Sequence, residues 1–468
     1  MPYQLLIDGA LVPGASEMDV INPATGEPFA VAPRANAGQL EQAVAAAKRA
    51  FPAWSGMAQE ERAGHLLKLA DLIEARADEY AQVLTREQGK PLAQARFEVG
   101  GSIAAFRYFA GQTIAPRTLV DEPKTLVIEK RVPLGVVAAI TPWNFPLILL
   151  AIKTAAALTT GNCVVAKPAP TTPLTSLMLG EAAAEALPAG VFNVIVDAND
   201  LGGALSAHPD VAKVSFTGST ATGRKVMQSG ADTLKRLTLE LGGNDAAILL
   251  DDVDVAELAP RIFMAAMLNA GQVCMAAKRI YAPRALYDDL CAALVAEAEK
   301  AVVGDGMEPD TTIGPLQNRM QYEKVLDLID DAAARGRVLT GGHRLNRPGY
   351  FIEPTIIADL DDDDRLVAEE QFGPVMPVLA YDDIDEAIAR ANASEFGLAG
   401  TIWGKDTGRA MEVASRIETG TVWINKHLDL RFDVPFGGAK QSGIGREQGE
   451  DGLKEFTQAR IINLHREA

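Results

Sequence analysis

Chemistry in this chain centres on one thiol. Cysteines occur at 163, 274 and 291. Cys163 heads the apolar run Val164-Val165-Ala166, and Cys291 lies in an amphipathic helical pattern, 287–294. Both read as core filler, where cysteine acts as a small hydrophobe. Cys274 differs. It follows Gly271-Gln272-Val273, just past a helical stretch over 263–268. Gly271 frees the backbone, so the thiol sits on an irregular turn or at the start of a further helix. A helix N-terminus there would favour the thiolate.

Three other segments hold groups that such a thiol would need. Glu240 lies between Leu239 and Leu241 and before Gly242-Gly243. An apolar setting raises a carboxyl pKa and suits a general base; a partly exposed strand-end glutamate is the plainer alternative. Asn144 stands among Pro142, Trp143, Phe145 and Pro146. Its amide must find partners as a buried structural residue or lie in a site. The segment 216–225 follows an apolar strand and opens a helix, the context in which backbone amides receive a phosphate. Its glycines, Gly218 and Gly223, fit neither the G-x-G-x-x-G fingerprint nor a Walker A loop, so an ordinary strand-to-helix turn stays open.

The elements that must position these groups follow from periodicity. Short strands and turns fill the first thirty residues. Asn36 with Gln39 forms a capping-box pattern. One long helix is expected over 59–86, with Leu66, Leu67, Leu69, Leu72 and Ile73 as its apolar face, stopping near Gly89 and Pro91. Residues 118–132 alternate as a projecting hairpin. Apolar strands at 135–140, 163–167, 191–196, 213–217 and 236–239 then alternate with Ala/Leu-rich helices, which predicts a parallel sheet. A second such block, with strands at 246–250, 338–340, 375–378 and 422–425, follows residue 243. The acidic run 361–364 reads as a solvated loop.

Bulk properties exclude several classes. The 468 residues carry a net charge of -18, which opposes nucleic acid and anionic membrane surfaces. Three cysteines make no disulfide framework and suit a reducing, cytoplasmic setting. The first residues lack a basic, then apolar leader pattern. The apolar stretch 136–151 is broken by Thr141, Pro142, Asn144 and Pro146, and is too short for a span of about 20 residues. No His/Cys/carboxylate cluster has metal-ligand spacing, so no metal is expected.

Taken in order, the motifs resemble the aldehyde dehydrogenase superfamily over nearly the whole chain. They are the segment 142–146, Gly161-Asn162 leading to Lys167-Pro168, and Phe216-Thr217-Gly218-Ser219 to Gly223. Leu239-Glu240-Leu241-Gly242-Gly243, Gly271-Gln272-Val273-Cys274, the run 369–375 and the run 435–447 complete them. The resemblance implies an α/β fold with two Rossmann-like open parallel-sheet domains and a small β oligomerisation element. The dinucleotide-binding domain would take 1–113 and 134–242, the catalytic domain 243–442, and the bridging element 114–133 and 443–468. A homodimer or homotetramer is implied.

The same resemblance implies a mechanism. Cys274 attacks an aldehyde to give a thiohemiacetal, the oxyanion lying between the Asn144 amide and the Cys274 N–H. Hydride passes to NAD, and Glu240 activates the water that hydrolyses the thioester. A base at 240 favours hydrolysis over acyl transfer to coenzyme A. Lys153 and Glu447 match a proton path. Ile140, Thr141, Pro142, Trp143, Lys167, Gly218, Ser219, Gly223, Leu241, Glu370 and Phe372 would contact the cofactor. Pro170 stands where many NAD-preferring members carry a glutamate that repels a 2′-phosphate, so NAD is expected to be used and NADP tolerated. Phe145, Leu149, Ile152, Val273, Met275 and 428–432, with Leu430 among them, give the substrate passage an apolar character. They point to a medium-chain or aromatic aldehyde. His427 is a substrate contact or a supporting residue. Arg107 or Arg431 would instead grip the carboxylate of a semialdehyde. A cysteine esterase lacks a histidine base beside the thiol, and a non-catalytic scaffold would not need Asn144, Glu240, Cys274 and Glu370 together.

Overall fold

The computed structural model describes residues 2–467. Its architecture follows from five largely buried strands. Val136–Ile140 and Cys163–Lys167 are buried at every position. Such runs belong in parallel sheets covered on both faces. Phe192–Val194, Cys163–Lys167, Val136–Ile140, Val211–Thr217 and Arg236–Glu240 pair in parallel in that order. Antiparallel strands close both edges: Leu5–Ile7 with Ala10–Val12 at one end, and Gly443–Ile444 at the other. The apolar core around this sheet draws on residues 5–241 together with Leu453 and Phe456.

A second sheet runs Arg337–Thr340, Thr355–Ala358, Val375–Tyr381, Ala277–Pro283, Asp245–Leu249, Ala399–Trp403, Thr421–Ile424. Only the first of these is antiparallel to its neighbour. It has its own core, built from residues 246–413. The expected parallel sheets are therefore present, with antiparallel strands added at their edges.

The predicted projecting hairpin forms from Arg117–Glu122 and Thr125–Pro133, and Thr457–His465 adds a third strand. The segment after 442 is divided. Residues 443–444 extend the first sheet, and only 457–465 join the hairpin. Along that last strand Ile461, Ile462 and Leu464 are exposed.

One predicted element is wrong. The single helix over 59–86 is two, Gln59–Glu74 and Ala77–Gln88. Neither Gly nor Pro marks the break. Buried Leu66, Leu69 and Ile73 are continued in phase by Tyr80 and Leu84, so periodicity passes straight through it. Arg76 leaves helical geometry there, and its guanidinium holds Glu79 and Glu181. Leu67, expected on the apolar face, is exposed. The stop at Gly89 is as expected, with φ 99°. The Asn36–Gln39 capping box is present.

Asn162 ties the first sheet to the C-terminal strand. Its Oδ1 accepts from the N–H of Leu134 and Gly135, and its Nδ2 donates to the carbonyl of Phe456 at 2.9 Å. The side chain is wholly buried. Asn162→Ala orphans these backbone groups, at about 1–3 kcal/mol each where water cannot reach them. We expect a fall of several degrees in thermal midpoint; a midpoint equal to wild type would contradict this account.

Candidate active site

The strands Val136–Ile140, Val211–Thr217 and Arg236–Glu240 end side by side, and their C-terminal residues open onto a cleft of about 690 Å³. Ligands of open α/β sheets lie at that end of the strands. The wall includes Ile140, Thr141, Pro142, Trp143 and Asn144 from one strand end, Gly218 and Ser219 from the next, and Leu241 and Gly242 from the third. Lys167, Glu370, Phe372 and Cys274 complete the set of expected residues there.

Off that wall lie two expected cofactor contacts, Pro170 and Gly223, and three expected catalytic residues, Glu240, Lys153 and Glu447. Gly223 has a packing role. A Cβ there would meet Leu241 at 2.5 Å, so glycine lets the helix Thr220–Gly230 lie against that side chain. Ser219 caps this helix by accepting from the Thr222 N–H. A Cβ on Gly218 would strike the Phe216 ring at 2.5 Å.

Several wall residues escaped sequence reasoning: Asn199, Ser206, Lys225, Gln321 and Lys324. Nothing local in the sequence signals them, because they come from four separate helices and loops, with Gln321 and Lys324 sharing the helix Arg319–Ala333. Lys225 and Lys324 make the cleft locally cationic against the net charge of -18. The buried hydroxyls of Thr141 and Thr217, both wall residues, have no partner. A capped helix start, cations and unpaired hydroxyls together fit a phosphate-bearing dinucleotide.

Cys274 reaches the cleft from a tight turn rather than a helix start. Asn269 and Ala270 take left-handed φ values of 53° and 54°, and Gly271 follows at 72°. A Cβ on Gly271 would sit 2.1 Å from the Gly373 carbonyl, so the chain passes directly against that segment. After the turn the chain runs into the strand Ala277–Pro283. Of the two readings, irregular turn or helix start, the turn is the one present, so no helix dipole bears on the thiol, and burial pushes Cys274 up to about 12. Cys163 and Cys291 are buried and also pushed up, to about 12 and about 11.

Asn144 is buried beside the turn. Its Nδ2 donates to the Gln272 carbonyl at 2.9 Å, and its own carbonyl accepts from Lys90 Nζ and Asn269 Nδ2. Lys90 pairs with Glu98 at 2.5 Å, both side chains fully buried. Glu98 in turn accepts from the N–H groups of Leu147 and Ile148, at the start of the helix Pro146–Thr159. Lys90 and Glu98 thus clamp both ends of the segment that carries Asn144.

Glu240 is buried, and neither carboxylate oxygen has a partner. Desolvation first, and the nearby Glu447 second, hold its carboxyl well above the usual range. Lys153 Nζ pairs with Glu447, and both meet the Ser215 hydroxyl at 3.3 Å. Glu370 accepts from the Gly243 N–H at 3.0 Å and from Lys278 at 2.9 Å. Phe372 meets Trp143 edge-on at 5.3 Å.

The chain's family follows from comparison with known proteins. The family profile described as the aldehyde dehydrogenase family matches residues 11–462. The chain belongs to the aldehyde dehydrogenase family. It is 41% identical over 449 residues to aldehyde dehydrogenase LUC3 of Fusarium sp, covering 95% of each chain. It is 40% identical to a mitochondrial aldehyde dehydrogenase of Leishmania tarentolae, covering 98% of this chain and 94% of that one. An NAD+ complex of an aldehyde dehydrogenase from Bacillus cereus superposes with a TM-score of 0.97 at 38% identity, covering 99% and 97%.

In this aldehyde dehydrogenase the expected substrate contacts lie off the cleft wall. Val273 and Met275 flank Cys274, and Phe145 follows Asn144 under the Lys90 ammonium, 3.7 Å from its ring centre. Leu149 is half-buried and Leu430 exposed. His427 has both ring nitrogens engaged by the protein. Its Nε2 bonds the Met275 carbonyl at 2.8 Å and its Nδ1 the Thr401 hydroxyl at 2.5 Å. Burial lowers it to about 4, so the ring is neutral, donating to Met275 and accepting from Thr401. Arg107 is engaged by Asp71 and Glu74, and Arg431 by Asp433.

Lys90→Met leaves Glu98 buried without its cation, and we expect a loss of roughly 3–5 kcal/mol. The double change Lys90→Met with Glu98→Leu should recover most of that stability, because packed apolar residues replace buried pairs well. It should still lower kcat by about tenfold or more, since Asn144 loses its clamp. Full activity in a stable double variant would disprove the clamp.

Proposed function

We propose that the enzyme oxidises an apolar, medium-chain or aromatic aldehyde to its carboxylic acid, with NAD as acceptor and Cys274 as nucleophile. The observation that carries this is the meeting of Cys274, Asn144, Glu370 and the Gly218–Ser219 helix start in one cleft. The Cys274 sulfur bonds the aldehyde carbon, and its proton goes to the base. The carbonyl oxygen becomes an oxyanion held by the Asn144 Nδ2 and the Cys274 N–H. Removing one such donor costs about 10²–10³ in rate. A bound nicotinamide supplies a hydride acceptor. Ser219, the following helix and Lys167 would hold the cofactor's phosphates and ribose, and Glu370 its second ribose. Glu240 then takes a proton from water, the hydroxide adds to the thioester, and Cys274 departs as thiolate. Lys153 and Glu447 carry the proton away from Glu240.

Burial pushes the resting thiol up to about 12 and holds the Glu240 carboxyl above its usual range, which keeps the empty site weakly reactive. Both arginines that a semialdehyde reading needs are committed to protein carboxylates, which leaves the apolar reading. Lys167 sits 2.7 Å from Asp197, so its charge is already balanced. Pro170 adds no carboxylate. This combination supports NAD as the better cofactor with NADP accepted. The exposed Ile461, Ile462 and Leu464 support a homo-oligomer built through the strand Thr457–His465. No helix among the described residues is long and apolar enough to cross a membrane; three unpaired cysteines support a reducing, cytoplasmic setting.

The test is absorbance at 340 nm over a panel of aldehydes, with NAD and NADP offered separately. Cys274→Ala should abolish reduction. Glu240→Gln should slow turnover about 10²-fold or more while one equivalent of NADH still forms in the first turnover. Steady turnover that saturates with coenzyme A would sink the hydrolytic reading. An NADP efficiency at or above that of NAD would overturn the cofactor preference.

A further inference from the structure

Lys278 is a buried cation beside the thiol that the mechanism above leaves unused. It lies in the strand Ala277–Pro283, and its side chain is 4% exposed. Its Nζ donates to the Gly243 carbonyl at 2.9 Å, to the Cys274 carbonyl at 3.0 Å and to Glu370 Oε1 at 2.9 Å. It also stands 5.2 Å from the centre of the Phe372 ring. Glu370 Oε1 accepts a second bond, from the Gly243 N–H. Three segments therefore meet on one ammonium: the turn after Glu240, the Cys274 turn and the Glu370–Phe372 segment.

We propose that Lys278 is a positioning residue that locks the Cys274 carbonyl to the Glu370 carboxylate and sets the electrostatic field at the thiol. The proposal rests on the reading of Cys274 as nucleophile and Glu370 as the cofactor-facing carboxylate. A group that merely filled space would not need three oxygen acceptors from three segments, and a buried ammonium needs all of them.

The charged groups around the thiol are few. From its own strand comes Lys278, the cation that favours thiolate. Opposing it are Glu370, Asp245 on the neighbouring strand Asp245–Leu249, and Glu240 at the end of Arg236–Glu240. Burial pushes Asp245 up to about 8 and Glu240 well above its usual range. Asp245 is therefore largely protonated at neutral pH, and Glu240 is displaced in the same direction. His427, which bonds the Met275 carbonyl next door, is neutral there too. The charged pair bonded directly to the Cys274 segment is Lys278–Glu370. Its two halves act with opposite sign, so removing each should move the thiol in opposite directions.

The test uses the whole enzyme without cofactor. Cys274 alkylation by iodoacetamide is followed by peptide mass spectrometry from about pH 6 to about pH 10, because only the thiolate reacts. Lys278→Met should slow alkylation about tenfold near pH 8, a shift of about one unit. Glu370→Gln should speed it. Lys278→Arg keeps the charge and should restore most of the wild-type rate. In parallel, NAD binding is titrated by quenching of tryptophan fluorescence, to which Trp143 in the cleft contributes. Lys278→Met should weaken it about tenfold, since Glu370 loses its tether.

Either readout unmoved in Lys278→Met overturns the proposal. So does a Glu370→Gln shift in the same direction as Lys278→Met, which would mean loosened packing rather than charge. If Lys278→Met does not fold, Lys278→Arg and Glu370→Gln decide by the same signs. Aldehyde oxidation enters neither readout, so failure of the proposed activity stays distinguishable from failure of this one.

Discussion

An ammonium taken out of water must find an anion and further oxygen acceptors, or it will not stay charged. Much of this site depends on that constraint. Lys90 with Glu98, Lys153 with Glu447, Lys167 with Asp197, Lys213 with Glu455 and Lys278 with Glu370 are buried lysines, each within 4.0 Å of a carboxylate. The carboxylates alone do not satisfy them. Lys90 also takes the Asn144 carbonyl, and Lys278 takes those of Gly243 and Cys274. These two pairs thereby fix stretches of backbone that no helix or strand would hold. Such pairs add little net stability. What they supply is one arrangement of the loops.

Those loops need it. The turn that presents Cys274 contains two consecutive non-glycine residues in left-handed backbone. Each costs of order 1 kcal/mol and persists only where its surroundings over-determine it. The surroundings are visible: Asn269 Nδ2 reaches the Asn144 carbonyl, and Gln272 bonds back to Asn269 and receives the Gln317 N–H. Asn144, the turn and the Lys90–Glu98 clamp form one hydrogen-bonded body. The sulfur and the amide that would stabilise its oxyanion are held by the same bonds.

The sheets were legible because their strands are continuous apolar runs; Cys274, Glu240 and Asn144 stood out locally as breaks in the pattern, but the order of the motifs along the chain singled them out. An isolated polar group inside an apolar run is a visible anomaly. Lys90, Glu98 and Lys278 were not legible for the converse reason. In sequence Lys90 and Lys278 stand beside a helix start and a strand start, and Glu98 lies within a helix, all places where surface charges sit. Only the fold shows them buried, with partners that are mostly distant in sequence: Glu370 lies 92 residues from Lys278. The split of the 59–86 helix was hidden in the same way, since apolar spacing reports which face is buried and not whether the axis is continuous.

The overall charge gives the same constraint a second consequence. A surface at -18 repels an anionic dinucleotide at long range, though salt confines that repulsion to about 8 Å at physiological strength. Inside the cleft the balance is different. Lys167 and Lys278 are neutralised by Asp197 and Glu370, whereas Lys225 and Lys324 make no salt bridge among the described residues. The neutralised lysines are the buried ones and the unpaired lysines the wetter ones. Burial requires pairing, so a buried lysine is committed to the protein, while a solvated one keeps its charge for a ligand. Attraction for the cofactor's phosphates therefore falls to the helix Thr220–Gly230 and the cations at the cleft's rim, and the interior pairs are left to position the reacting groups.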